Sequence, residues 1–260
     1  MAKDSSYISK EAGPDGLYPY DAKEDRVWSV LMERQMADLP GRIAPEFLDG
    51  IDMLGLKPDR VPQVRDINAR LKEASGAGVE GVPAIIPPTR FFTLLSERKF
   101  PVATFIRRME HLDYIEEPDL FHEVFGHCPM LTNPFMADFI QGFGQKALSM
   151  EKSHRWHMFR LFWFTVEFGM IDTPQGLRGY GAGIASSPAE LRNATGGGAR
   201  MRPFTMREAL RTPYRIDIVQ PVYFVIDSFE QLARTLDQDF TALIDEAKTL
   251  GDLPPLFDPA

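Results

Sequence analysis

Apolar residues recur at helical intervals along most of this chain, and proline and glycine punctuate them. In the stretch 24–39 the positions Val27, Val30, Leu31, Met32 and Leu39 suggest a helix, which Pro40-Gly41 stops. Two further helices are predicted over 45–54 and 63–73, with Gly76-Ala77-Gly78 as a break. Residues 82–86 read as a short strand closed by Pro87-Pro88, 89–97 as a helix and 101–106 as another short β-like run. Pro118 suits the first position of a helix, where a missing N–H costs nothing, and Asp119 suits its positive end. That helix runs into His127 and is expected to end near Pro129. Asn133-Pro134 opens the next helix, and another covers 153–169. Beyond it lie a glycine-rich loop over 176–187, a capping box at Ser187-Pro188-Ala189-Glu190 and a mobile loop over 195–202. Two short strands, 215–218 and 222–226, and one long helix over 228–250 complete the chain.

The sum is a mainly α-helical protein with a few short β-strands. No internal repeat, low-complexity tract or linker divides it, so one domain over 23–260 is expected, preceded by an N-terminal arm over 1–22.

Composition narrows the partners. With 260 residues, 44% of them hydrophobic and 25% charged, the chain can bury one sizeable core. Its net charge of -8 and lack of a basic block argue against nucleic acid and against a polybasic membrane site. The most apolar stretch, 159–170, contains Arg160 and Glu167 and is too short to span a membrane. Cys128 is the only cysteine, which excludes an intrachain disulfide and fits a reducing compartment. The polar start lacks the apolar core of a signal peptide, so a cytoplasmic location is expected, and the acceptor-like Asn193-Ala194-Thr195 is read as coincidence.

The strongest chemical signal is the run from Pro118 to His127. Two of the five histidines, His122 and His127, fall here beside Glu123. The zinc protease pattern needs histidines four apart on one helical face. Here they are five apart, which on a regular helix separates them by roughly 140°. They can still converge if the backbone loosens, and Gly126 and Pro129 make that plausible. A third ligand is available in Glu167, an acid inside the intensely apolar segment 162–169, where burial demands a metal or a counter-charge. Two histidines and one carboxylate form the facial triad of non-haem Fe(II) oxygenases. From spacing alone the histidines could equally be core residues, and Glu167 could meet Arg155 or Arg160 instead.

The segment 117–134, Glu-Pro-Asp-Leu-Phe-His-Glu-Val-Phe-Gly-His-Cys-Pro-Met-Leu-Thr-Asn-Pro, resembles the iron-binding segment of the pterin-dependent aromatic amino acid hydroxylases. The segments 163–169 and 180–187 match the same family in the same order, and the resemblance extends over about 28–257. It looks like the bare catalytic domain of bacterial members that act on phenylalanine, without the regulatory and tetramerisation segments of animal members, which implies a monomer. The resemblance implies Fe(II) held by His122, His127 and Glu167, and a tetrahydropterin stacked on Phe91. It places Ala84, Ile85 and Ile86 along the pterin, and Glu123 toward the pterin side of the iron. It further implies that Arg107 grips the substrate carboxylate, that Trp163 walls an aromatic pocket, and that Gly183 and Ser186 lie beside substrate and His122. Without it, Phe91 reads as core packing, Glu123 as a solvated helix acid, Arg107 as a surface charge and Gly183 as part of a flexible turn. Two positions depart from other members: Ile115 stands where animal members have threonine, and Phe162 where many have tyrosine. The implied reaction turns L-phenylalanine into L-tyrosine with O₂, as one step of phenylalanine catabolism. Tryptophan or tyrosine as substrate, a zinc-dependent hydrolase and a non-catalytic regulator are the competing readings.

Overall fold

The computed structural model describes residues 7–83, 85–113, 115 and 117–257. Helix outweighs strand, 54% against 11%, as the patterning predicts. The helices are α1 (Ala22–Asp38), α2 (Pro45–Leu54), α3 (Val64–Ala74), α4 (Pro88–Ser96), α5 (Cys128–Leu131), α6 (Pro134–Ser149), α7 (Arg155–Phe162), α8 (Ala182–Ser186), α9 (Pro188–Thr195), α10 (Met206–Arg211), α11 (Phe229–Arg234) and α12 (Phe240–Leu250). The strands are β1 (Gly78–Val82), β2 (Lys99–Ala103), β3 (Met170–Thr173), β4 (Gly176–Gly179), β5 (Arg200–Pro203) and β6 (Val222–Ile226). β1 and β2 pair in parallel, and the other four form a sheet in the order β4-β3-β6-β5.

The first three helices start and stop where the caps say. Asp21 accepts from the N–H groups of Lys23 and Glu24, while Glu24 returns a bond to Asp21, so the free donors of the first turn are satisfied. Gly55, with φ of 63°, closes α2 in the left-handed conformation. On α1, Val27, Trp28, Leu31 and Met32 are buried, and the Trp28 indole N–H finds the Lys57 carbonyl at 2.8 Å.

Two segments, Phe121–His127 and Trp163–Glu167, are π-helical and depart from what periodicity predicts. In the first, Pro129 has no N–H to offer the Phe125 carbonyl, so the α-register loses a rung. The helix therefore does not end at Pro129; it loosens before it, and Pro129 enters the first turn of α5, where its missing donor costs nothing. In the second, the Phe168 N–H donates to the Trp163 carbonyl five residues back, at 2.9 Å. The 121–127 segment is clamped in the core: Phe121 and Phe125 stack at 4.7 Å, with Trp28 edge-on to the former and Phe47 edge-on to the latter.

Several expectations need correction. The strand predicted over 82–86 lies earlier, as β1, because Pro83 cannot continue a hydrogen-bonded ladder. Likewise the run 101–106 forms β2, two residues earlier, in register with β1. The glycine-rich loop is instead β4 and α8: its glycines serve close packing rather than flexibility. The Gly181 N–H donates to the Gly169 carbonyl at 3.1 Å, and a Cβ on Gly181 would lie 2.3 Å from the Glu167 carbonyl oxygen. Only half of the capping box forms, from Ser187 Oγ to the Glu190 N–H, because Glu190 turns inward to other partners. Part of the loop 195–202 is β5, and 215–218 is no strand. The long last helix breaks at Gln238, and Asp239 caps a fresh start at α12. α10 escaped the sequence reading altogether.

Gly181→Ala forces a methyl group into backbone that cannot yield. We expect it to lower unfolding free energy by about 1–3 kcal/mol and to displace Glu167. Urea titration measures the first effect, and a stability equal to that of the parent chain contradicts the packing described.

Candidate metal centre

The five-residue interval between the histidines becomes an asset in the π register. Bonding from residue i+5 to residue i sets residues five apart over one another on one face. The His122 and His127 rings accordingly meet at 5.0 Å between centroids, perpendicular to each other. Their Nε2 atoms both face Glu167, at 3.5 Å from Oε2 for His122 and 3.1 Å from Oε1 for His127. Glu123 stands on the same side, with Oε2 3.8 Å from His127 Nε2. Ligand atoms of His122, Glu123 and His127 lie within 4.8 Å of one another. The alternative partners of Glu167 are engaged elsewhere. Arg155 reaches the Ala147 carbonyl and Thr89, while Arg160 pairs with Asp252 and the Leu210 carbonyl.

Each imidazole is aimed by its surroundings. Ser186 Oγ donates to the Ala182 carbonyl at 2.8 Å and so can accept from His122 Nδ1–H at 2.9 Å. That bond puts a proton on Nδ1, so Nε2 is the nitrogen turned to the carboxylate and the one a metal would take once its own proton has left. Phe100 of β2 lies parallel to the His127 ring at 4.3 Å and closes off its outer face. The backbone of His122 is anchored too, its N–H donating to Asp119 Oδ1 at 3.1 Å.

Asp119 is fully buried and accepts three further bonds from Arg107: from its N–H and Nε to Oδ2, both at 2.9 Å, and from Nη2 to Oδ1 at 2.8 Å. Burial alone would raise the Asp119 carboxyl, but the guanidinium holds it below the usual range. Sequence reading linked Asp119 only to a helix end. Nothing in the linear pattern shows that a residue twelve positions upstream is its partner.

Charge in the site follows from burial and neighbours. Burial acts to lower His122, yet the Glu167 charge lifts it to about 9. His127 is lowered by burial. Burial acts to raise Glu167, and the two histidines outweigh it, holding it well below the carboxylate range. Burial pushes Glu123 up to about 8. At neutral pH the bare site therefore holds an ionised Glu167 beside a protonated His122.

The remaining expected residues lie around this centre or outside what is described. Phe91 is partly buried on α4, edge-on to Phe92, Phe100 and Phe162. Ile86 is half-buried and Ile85 exposed, while Ala84 lies outside the described residues. Trp163 opens the π turn that ends in Glu167; its ring stacks on Tyr214 at 4.7 Å and its N–H donates to Gln220 Oε1 at 3.0 Å. Gly183 is buried, and a Cβ there would meet the Phe168 ring at 2.5 Å, so the glycine lets α8 press against the residue after Glu167. Neither Tyr214 nor Gln220 carried a signal in the sequence.

Two imidazole nitrogens and one carboxylate, gathered from two π turns, suit a divalent cation that takes further ligands besides these three. The comparisons agree. A profile of the family described as biopterin-dependent aromatic amino acid hydroxylase matches residues 10–250. The phenylalanine-4-hydroxylase of Pseudomonas aeruginosa is 46% identical over 257 residues, covering 99% of this chain and 98% of that one. The structure of a phenylalanine hydroxylase from Legionella pneumophila superposes with a TM-score of 0.94 at 46% identity, covering 96% of this chain and 100% of that one. That of Chromobacterium violaceum phenylalanine hydroxylase with bound oxidised Fe(III) gives 0.90 at 38% identity, covering 96% and 91%.

A metal ion must displace the His122 proton, which persists up to a pH of about 9. Affinity for a divalent cation is thus expected to rise with pH through the neutral range, by about tenfold per unit where one proton competes with one ion. Calorimetry with Co(II) in buffers of different ionisation enthalpy should register that proton, and uptake without release contradicts the charge assignment.

Proposed function

The chain belongs to the biopterin-dependent aromatic amino acid hydroxylases, and from that membership and the convergence of His122, His127 and Glu167 we infer that it hydroxylates L-phenylalanine to L-tyrosine. The cofactors are Fe(II) and a tetrahydropterin. In this reading His122, His127 and Glu167 hold the iron, and the donor set fits: three protein ligands, one negative charge, and room for substrates on the metal. Iron and pterin together supply the electrons and the O₂ chemistry that the side chains cannot.

The protein's own part is placement and shielding. Phe91 offers a ring face to the pterin, with Ile86 beside it. Glu123, on the same side as the histidines, offers its carboxyl to the pterin. Arg107 presents the edge carrying Nη1 and Nη2 to the substrate carboxylate, while Asp119 fixes the plane of the guanidinium. Trp163 then walls the pocket for the substrate ring, with Gly183 and Ser186 at its inner end. Ser186 also fixes the tautomer of His122.

The same reading takes the chain as one catalytic domain over 23–260 with an N-terminal arm over 1–22, acting as a monomer in the cytoplasm. The arm's described residues lie along the body, Tyr7 stacked on Phe105 and the Lys10 carbonyl accepting from Thr104. The single buried thiol of Cys128 suits a reducing compartment, and no helix among the described residues is long and apolar enough to cross a membrane. Gel filtration tests the monomer.

The direct assay loads Fe(II) and tetrahydropterin without oxygen, admits air and analyses products from phenylalanine, tyrosine and tryptophan. Tyrosine from phenylalanine, dependent on both cofactors, is expected; turnover with Zn(II) and no pterin contradicts the function. Arg107→Ala is a poor probe, because it leaves Asp119 charged and buried, at a cost of about 3–5 kcal/mol. Arg107→Lys keeps the charge but loses the fork. It is expected to raise the KM for phenylalanine by about 10–100-fold, the worth of one charged hydrogen bond, at unchanged iron content. An unchanged KM removes Arg107 from the substrate site.

A further inference from the structure

Gln220 sits in the stretch between α10 and β6, buried to 2% exposure, and every polar group it owns is committed. Its Nε2 donates to the carbonyls of Arg215 at 2.9 Å and Ile218 at 2.8 Å. Its Oε1 accepts from the Trp163 indole N–H at 3.0 Å. Its backbone N–H donates to Glu190 Oε1 at 3.1 Å, and its carbonyl accepts from Asn193 Nδ2 at 2.8 Å. The amide can face only one way. An indole N–H only donates, so it must meet the oxygen; carbonyls only accept, so they must meet the nitrogen.

The consequence is a loop pinned to an aromatic ring. The two carbonyls belong to the same stretch that supplies Tyr214, which stacks on Trp163 at 4.7 Å with planes 27° apart. The Trp163 ring also meets Phe168, with centroids 4.6 Å apart and planes 46° apart. Behind Gln220, Glu190 and Tyr223 share a hydrogen bond, and Asn193 reaches Tyr223 Oη at 2.9 Å, so the anchor is itself tied to α9 and β6. One buried side chain thus sets where Trp163 points and where its stacking partner lies.

We propose that Gln220 is the positioning residue for Trp163, fixing the indole and the 214–219 loop as one rigid wall against which the substrate ring is seated. This rests on the reading of Trp163 as part of the substrate pocket. Gln220 touches neither substrate nor cofactor; it acts through the indole. Removing its amide leaves the indole N–H without an acceptor and frees the loop, so ring placement loosens while the metal ligands stay where they are.

The test uses the Fe(II)-loaded enzyme with tetrahydropterin and four forms: parent, Gln220→Leu, Trp163→Phe and the double variant. Gln220→Leu is expected to raise the KM for phenylalanine by about tenfold, as for one buried hydrogen bond, with a much smaller change in kcat and unchanged iron content. In the Trp163→Phe background the same substitution should add less than it does alone, since only the loop carbonyls and no indole remain to be held. Additive effects in the double variant, or an unchanged KM in Gln220→Leu, overturn the proposal. A second readout needs no turnover: the emission of Trp163, taken as parent minus Trp163→Phe, should shift to the red and become accessible to acrylamide in Gln220→Leu. Unchanged emission overturns the positioning role whatever the pocket does. A shifted emission with KM unaffected by either substitution instead overturns the reading of Trp163 as a pocket wall, and the substrate part of this proposal with it. Gln220→Met, of the same length without the amide, replaces Gln220→Leu if that variant does not fold.

Discussion

A carboxylate in an apolar helix is the constraint around which this protein is built. Glu167 lies in an apolar segment, where an unpaired charge is costly, and two imidazoles are brought to it. The two imidazoles cannot both meet it from a regular helix, because side chains five residues apart would then diverge. The backbone resolves this by adopting a wider helix at both ends of the contact, once under the histidines and once under the acid. Much of the nearby packing serves that arrangement: the aromatic stack beneath 121–127, the close approach of α8, and the glycine that lets a carbonyl of the acid's own turn come near.

A second buried charge pair supports the first. Asp119 neutralises Arg107 and holds the N–H of His122, so one carboxylate anchors both the guanidinium and the backbone of the first histidine. Charge is therefore balanced in two adjacent cells, each closed by hydrogen bonds, rather than spread over a polar cavity. One carboxylate thus ties the orientation of the Arg107 guanidinium to the backbone of His122, so truncating the arginine is expected to disturb more than its own contacts.

How much of this the sequence revealed follows from what hydrophobic patterning encodes. α1, α2 and α3 were legible because their apolar positions recur at helical spacing and Pro40-Gly41, Pro45 and Gly76-Ala77-Gly78 punctuate them. His122, His127 and Glu167 were singled out from residue type and family resemblance, and their side chains lie within 3.5 Å of one another in pairs with Glu167. The π turns were not legible as such: an apolar face looks alike in both registers over a single turn, and only Pro129 and Gly126 hinted at loosening. Gly179, Gly181 and Gly183 misled in the other direction, since a glycine cluster signals freedom in a solvated loop and contact in a packed one, and linear order cannot tell the two apart. Gln220 and Tyr214 had no signature at all, because a buried polar hub is defined by partners distant in the chain.

The wider turn around the histidines has a bearing on how metal sites are recognised or transplanted. A pair of histidines with four residues between them is not a ligand pair in itself. It becomes one only where the local chain is denied its ordinary coil, here by an imino acid two places after the second histidine. Grafted onto an ideal helical scaffold, the same two side chains would splay to different faces and bind nothing together. The exported unit must therefore be a backbone irregularity carrying its ligands, and a search for such centres gains more from looking for interrupted coils than from looking for histidines alone.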